Sequence, residues 1–139
     1  MKYYAVIDTN VLVSAALKWH SVPGSIVELV FEGYIIPVLN QEIIDEYRAV
    51  LSRPKFHLTN DIVEEIINSF NAVGLYVDAT SLDIDFTDLK DKVFYEVVME
   101  ERKKEESYLV TGNTRHFPVQ PFIVTPRQML DIILRNIDE

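Results

Sequence analysis

Short apolar runs at 3–7, 34–38, 75–77, 108–110 and 122–124 constrain this chain most: they are too brief for helices and too continuous for strands with one wet face. Runs of this kind suit strands covered on both sides. Segments with helical spacing separate them, at 11–17, 22–32, 41–53, 60–73 and 88 to about 103, and a last helix is expected from Thr125-Pro126 to 135. The punctuation agrees: Pro23 stands at a permissible first-turn position, Gly33 lies past a helix end, Asn40 is placed to cap, and Pro54 to stop. Within 60–73, Ile62, Val63, Ile66, Ile67 and Phe70 recur at a helical period. Strands alternating with helices predict a three-layer α/β/α sandwich around a mostly parallel sheet, in one domain spanning 1–139. Ligands of such folds sit outside the carboxyl ends of the strands.

Composition removes several chemistries. Without cysteine there is no disulfide framework, thiolate metal site or cysteine nucleophile. Asp8 interrupts the first apolar run before a signal peptide could form, and no window nears 18 unbroken apolar residues, so a cytoplasmic protein with no membrane span is expected. Lys and Arg total 13 against 22 Asp and Glu, a formal charge of −9 that repels polyanions on average. A nonspecific basic nucleic-acid coat is excluded. A local acidic site filled by a cation can still bind phosphate, because the ion reverses the local field.

Four positions carry the chemistry. Asp8-Thr9-Asn10 directly follows a buried strand, although a plain turn and helix cap would explain it as well. On the 41–53 helix, Ile43, Ile44, Tyr47, Val50 and Leu51 form the apolar stripe; Glu42 and Asp45 point away, and Glu46 lies at the margin. On the next long helix Asp91 borders the apolar face while Asp88 points nearly opposite, and first-turn acids are also favoured by the helix dipole alone. Finally, the strand 108–110 ends in Thr111-Gly112-Asn113, followed by Arg115 and His116. No His-Glu-x-x-His spacing suggests zinc. Should Asp8, Glu46, Asp91 and Asn113 share one cleft, their oxygen donors would suit Mg²⁺ or Mn²⁺.

In four segments taken in order, 5–15, 42–54, 88–94 and 108–118, the chain resembles PIN-domain nucleases, specifically small prokaryotic proteins regarded as toxins of toxin–antitoxin pairs. The resemblance implies a metal-dependent ribonuclease with its acids at Asp8, Glu46 and Asp91, and with Asn113 where many members have a further Asp. It assigns Mg²⁺ or Mn²⁺ to Asp8, Glu46 and Asp91, and phosphate or water contacts to Thr9, Asn10, Arg115 and His116. It also implies an RNA substrate, an antitoxin partner and a homodimer. Two other readings remain: a PIN-like module that binds RNA or protein without cutting, and a haloacid-dehalogenase-type phosphatase using Asp8, for which Asn10 lacks the second acid.

Overall fold

The computed structural model describes residues 2–137. The first strand, β1 (Tyr3–Ile7), runs into α1 (Thr9–Leu17) with Asp8 as the single hinge residue, its φ of −65° and ψ of 145° still extended. The Val11 amide donates to the Asp8 carbonyl at 3.0 Å, so the helix begins two residues before the expected 11–17. The chain continues through α2 (Val22–Phe31), β2 (Ile35–Leu39), α3 (Gln41–Leu51), a 3₁₀ turn at Pro54–Phe56 and α4 (Asn60–Val73). It ends with β3 (Leu75–Tyr76), α5 (Leu89–Arg102), β4 (Ser107–Val110), a second 3₁₀ turn at Thr114–His116, β5 (Ile123–Val124) and α6 (Pro126–Ile137).

The strands form one sheet in the order β3-β2-β1-β4-β5, parallel throughout among the described residues. The order reverses beside β1, since β2 and β3 add on one side of it and β4 and β5 on the other. With right-handed crossovers, the connections through α1–α2 and α3–α4 cover one face and α5, returning to β4, covers the other. The result is an α/β/α sandwich with β1 at its centre. Ala5, Val6 and Ile7 are fully buried, as are Leu39, Ile43, Tyr47, Phe70 and Leu109.

Local sequence explains most boundaries. Asn40 accepts from the Ile43 amide at 2.9 Å, capping α3 as its side-chain chemistry predicts. Thr125 and Gln128 exchange bonds at the start of α6: the Gln128 amide donates to Thr125 Oγ1 and the Thr125 amide to Gln128 Oε1, a reciprocal cap. β4 begins at Ser107, one residue before the expected run, because this buried small side chain pairs in register with Tyr4. Residues 77–88 have no regular structure; glutamates of α5 hold them instead, Glu96 accepting from the Leu82 amide at 2.7 Å and Glu100 from Thr80. Among the described residues no helix is long and apolar enough to cross a membrane.

Candidate active site

Because α1 starts directly at the end of the central strand, Asp8 stands beside the point where the strand order reverses. Such a crevice is the standard ligand position of open parallel sheets. Its carboxylate does not cap α1; Oδ2 accepts instead from Thr111 Oγ1, at 2.7 Å, across the carboxyl end of β4. Thr111 is fully buried and its hydroxyl also accepts from the Asn113 amide at 3.0 Å, which fixes the rotamer that serves Asp8.

A second tie runs to α3. The buried Tyr47 hydroxyl donates to the Ile7 carbonyl, adjacent to Asp8, so the helix turn that carries Glu46 is fastened to the strand that carries Asp8. Tyr47 belongs to the apolar stripe by spacing, and its ring does pack against Phe70 and Phe94. Its polar end has the positioning task.

α5 brings in the third acid. Asp88 is its N-cap, accepting from the Lys90 amide at 2.9 Å, and this turns Asp91 inward. Asp91 Oδ2 lies 3.3 Å from His116 Nδ1, and Asn113 Nδ2 lies 2.8 Å from His116 Nε2. With the amide as donor, Nε2 accepts and the ring carries its proton at Nδ1, toward Asp91. Glu46 Oε2 is 3.9 Å from Lys90 Nζ, a pair that joins α3 to α5.

The electrostatics give these acids an order. Burial pushes the Asp8 carboxyl up to about 6; the Thr111 hydrogen bond opposes the rise and the charge of Asp91 adds to it. Asp91 is also raised, by burial first, then by Asp88, with His116 opposing and Glu46 adding. Asp91 thus raises Asp8 and is itself raised by Glu46. Each acid costs its neighbour free energy when ionised, which a cation would relieve.

One cleft of about 410 Å³ is lined by Asp8, Thr9, Asn10, Glu46, Asp91 and His116, together with Ser14, Arg53, Phe56 and Lys90. The expected residues do not all enter it in the expected way. Asn113 is absent from its lining and acts from behind, through His116. Arg115 faces a separate depression with Phe117, Pro118 and Gln128, because the 3₁₀ turn sends consecutive side chains in different directions. Asn10 reaches the cleft, yet its Oδ1 accepts from the Gly112 amide at 3.2 Å and so braces α1 against the end of β4. Thr9 Oγ1 is buried without a hydrogen-bond partner. Arg53, Phe56 and Tyr47 were not foreseen as site residues. Only the first two left a signal in the sequence, a cation and an aromatic on either side of the helix-stopping Pro54.

The donor set fits a hard cation in part. Among the described residues no three Asp, Glu or His side chains stand close enough to clasp one ion together, so the expected tridentate set of Asp8, Glu46 and Asp91 is not closed. Glu46 leans on Lys90, while Asp8 is turned by Thr111. Mg²⁺ commonly takes only one or two carboxylates and retains water on its remaining positions. Asp8 and Asp91 meet that requirement, and the unpartnered Thr9 hydroxyl adds an oxygen able to bond such water.

Residues 4–115, from the first strand to the turn after β4, match the family model described as PIN domain. The chain belongs to the PIN-domain family. Over 116 residues it is 28% identical to an uncharacterized protein of Methanocaldococcus jannaschii, a match spanning 81% of this chain and 72% of that protein. The PIN domain is a nuclease-type fold that typically binds divalent metals, and its model reaches every acid of the cleft.

Proposed function

We propose that this PIN domain is a ribonuclease that hydrolyses RNA phosphodiester bonds with Mg²⁺ or Mn²⁺ as cofactor. What carries the reading is the meeting of Asp8, Glu46 and Asp91 in one cleft at the reversal of strand order. Asp8 and Asp91 would hold the cation, which when bound lowers the pKa of a coordinated water and polarises phosphoryl oxygens. Thr111 keeps the Asp8 carboxylate oriented, and His116, aligned by Asn113, does the same for Asp91. Glu46, in the same cleft, would accept a proton or orient a water, and Lys90 would offer a cation to the phosphate. The expected products are a 5′-phosphate and a 3′-hydroxyl. Electrophoresis of end-labelled RNA tests this: cleavage should appear with Mg²⁺ or Mn²⁺ and vanish with chelator. It should also be lost in Asp8→Asn, Glu46→Gln and Asp91→Asn. Unchanged cleavage in all three variants would reject the assignment.

The resemblance extends the proposal to the toxin of a toxin–antitoxin pair, acting in the cytoplasm as a homodimer. At −9, attraction to an acidic antitoxin is unfavourable, so that partner would dock through apolar contacts. Growth arrest on induced expression, relieved by Asp91→Asn, is the expected outcome. The open acid set and the neutral Asn113 favour one competing reading, an RNA- or protein-binding module without catalysis. RNA binding without cleavage across a broad substrate panel would select it. The phosphatase reading loses ground because Asn10 is engaged with Gly112 and offers no general acid.

A further inference from the structure

Part of the lining of the acidic cleft comes from the turn after α3. Arg53 and Phe56 line it, and Phe56 differs from the other phenylalanines of the protein. Phe31, Phe70, Phe86, Phe94 and Phe117 all pair with other rings, and Phe122 lies under the Arg102 guanidinium. Phe56 joins no such ring pair among the described residues. It is half-buried at the cleft, with the Lys55 ammonium 5.2 Å from its ring centroid.

Arg53 is likewise uncommitted. Arg48 is paired with Glu64 and Arg102 donates to the Ser107 carbonyl, whereas Arg53 makes no ion pair among the described residues. The turn holding both side chains is well fixed. Pro54 sets its first position; the Arg53 amide donates to Val50, Phe56 to Arg53 and His57 to Pro54, each at 3.1 Å; and His57 closes it with a left-handed φ of 54°.

We infer that Arg53 and Phe56 form a single-strand recognition lip: Phe56 stacks an unpaired base of the nucleotide beside the scissile phosphate, and Arg53 holds that nucleotide's phosphate. The inference rests on the ribonuclease reading and adds the two residues that would hold the strand beside the acids. In a −9 protein a strand reaching the acids needs a cation at the flanking phosphate, and Arg53 is the unpaired arginine of the cleft. Aromatic stacking is tolerant of base identity but requires a base free of its duplex partner. Both side chains stand on a prearranged turn, so little ordering is lost on binding.

Fluorescence anisotropy with a labelled single-stranded RNA oligonucleotide and a matched duplex tests the lip, in an Asp91→Asn background that leaves the RNA intact. Adding Phe56→Ala should weaken single-strand binding about tenfold and leave duplex binding unchanged, and Phe56→Tyr should restore it. Arg53→Ala should reduce the slope of log affinity against log salt by about one, and Arg53→Lys should preserve it. Thermal melts of each variant check folding, which a surface turn should tolerate. If the wild type cleaves RNA while Phe56→Ala and Arg53→Ala bind and cut as their parents do, the lip is wrong and the ribonuclease stands. If the wild type never cleaves yet Phe56→Ala loses tenfold in binding, the lip stands and the ribonuclease falls. A wild type that neither binds nor cuts either RNA overturns both.

Discussion

The two ends of the central sheet each bury a carboxyl group whose pKa is raised, and they differ in everything that turns such a group into a site. At the carboxyl end Asp8 is 7% exposed, bonded to Thr111, coupled to Asp91 and open to a cleft. At the other end Glu101, on the last turn of α5, is 1% exposed, and its Oε1 has no hydrogen-bond partner. It is raised by burial and by Glu105, and it raises Tyr4 in turn, but it borders none of the clefts described above. α5 therefore carries a cleft-lining acid at its first turn and, at its last, one that meets Glu105 away from the cleft. A perturbed pKa identifies strain, and both ends have a second acid beside the first; an orienting bond and an opening for substrate are what make that strain useful.

The largest effect that could break this contrast is the loss of cleavage in Asp8→Asn. Activity in Mg²⁺ should fall below about a hundredth of wild type, whereas Glu101→Gln should cut RNA at the normal rate. Metal-free stability should move the other way. The folded pKa of Asp8, about 6, lies above its ordinary 3.8, so its stabilising contribution is complete below 3.8 and lost as pH rises through 6. At pH 7 the charged group then destabilises the metal-free fold by up to about 3 kcal/mol, which Asp8→Asn removes while retaining an acceptor for Thr111. A urea titration with chelator, comparing the two proteins at pH 4 and 7, reads this directly. Equal midpoints at pH 7 would contradict the burial of charge argued here.

Next in size is Thr111→Val, which keeps the shape of the side chain and deletes the bond that orients Asp8. Partners of this kind are typically worth 10–100-fold in metal affinity, and calorimetric titration with Mn²⁺ should show about tenfold weaker binding. An unchanged affinity would mean that Asp8 is held by its backbone alone. Tyr47→Phe follows, leaving the buried Ile7 carbonyl without its donor. A loss of about 1–3 kcal/mol in chemical unfolding is expected, with cleavage reduced further than stability alone explains.

These variants also mark how far the sequence could be read. The 60–73 helix and the Asn40 cap were visible because each depends on neighbours within four residues. The parallel sheet was visible because strands covered on both sides lose their polar alternation. Period alone placed Glu46 and Asp91 at the margins of their helices, and both line the cleft. The failures involve distance along the chain. Nothing near Tyr47 predicts that its hydroxyl meets a carbonyl 40 residues away, and nothing near Asn10 predicts its bond to Gly112, 102 residues away. Arg115 and His116 are adjacent in sequence, yet a tight turn sends them to different surfaces.

The smallest effect sharpens the comparison from its inert end. The Glu101 carboxyl is raised above its ordinary value, so it supports the fold when protonated, below about pH 4.5, and withdraws that support as the pH climbs through its higher folded value. Glu101→Gln keeps the size and an acceptor and removes the charge, so it should raise the melting temperature at pH 7 and leave it nearly unchanged at pH 4. Glu105→Gln should give a weaker version of the same result, because Glu105 acts on Glu101 only as a neighbouring partner. If Glu101→Gln instead lowers stability at pH 7, the carboxylate has a partner in solution and the far end of the sheet is not inert. Should the variant lose cleavage as well, the two ends would be coupled along α5 and their separation would fail.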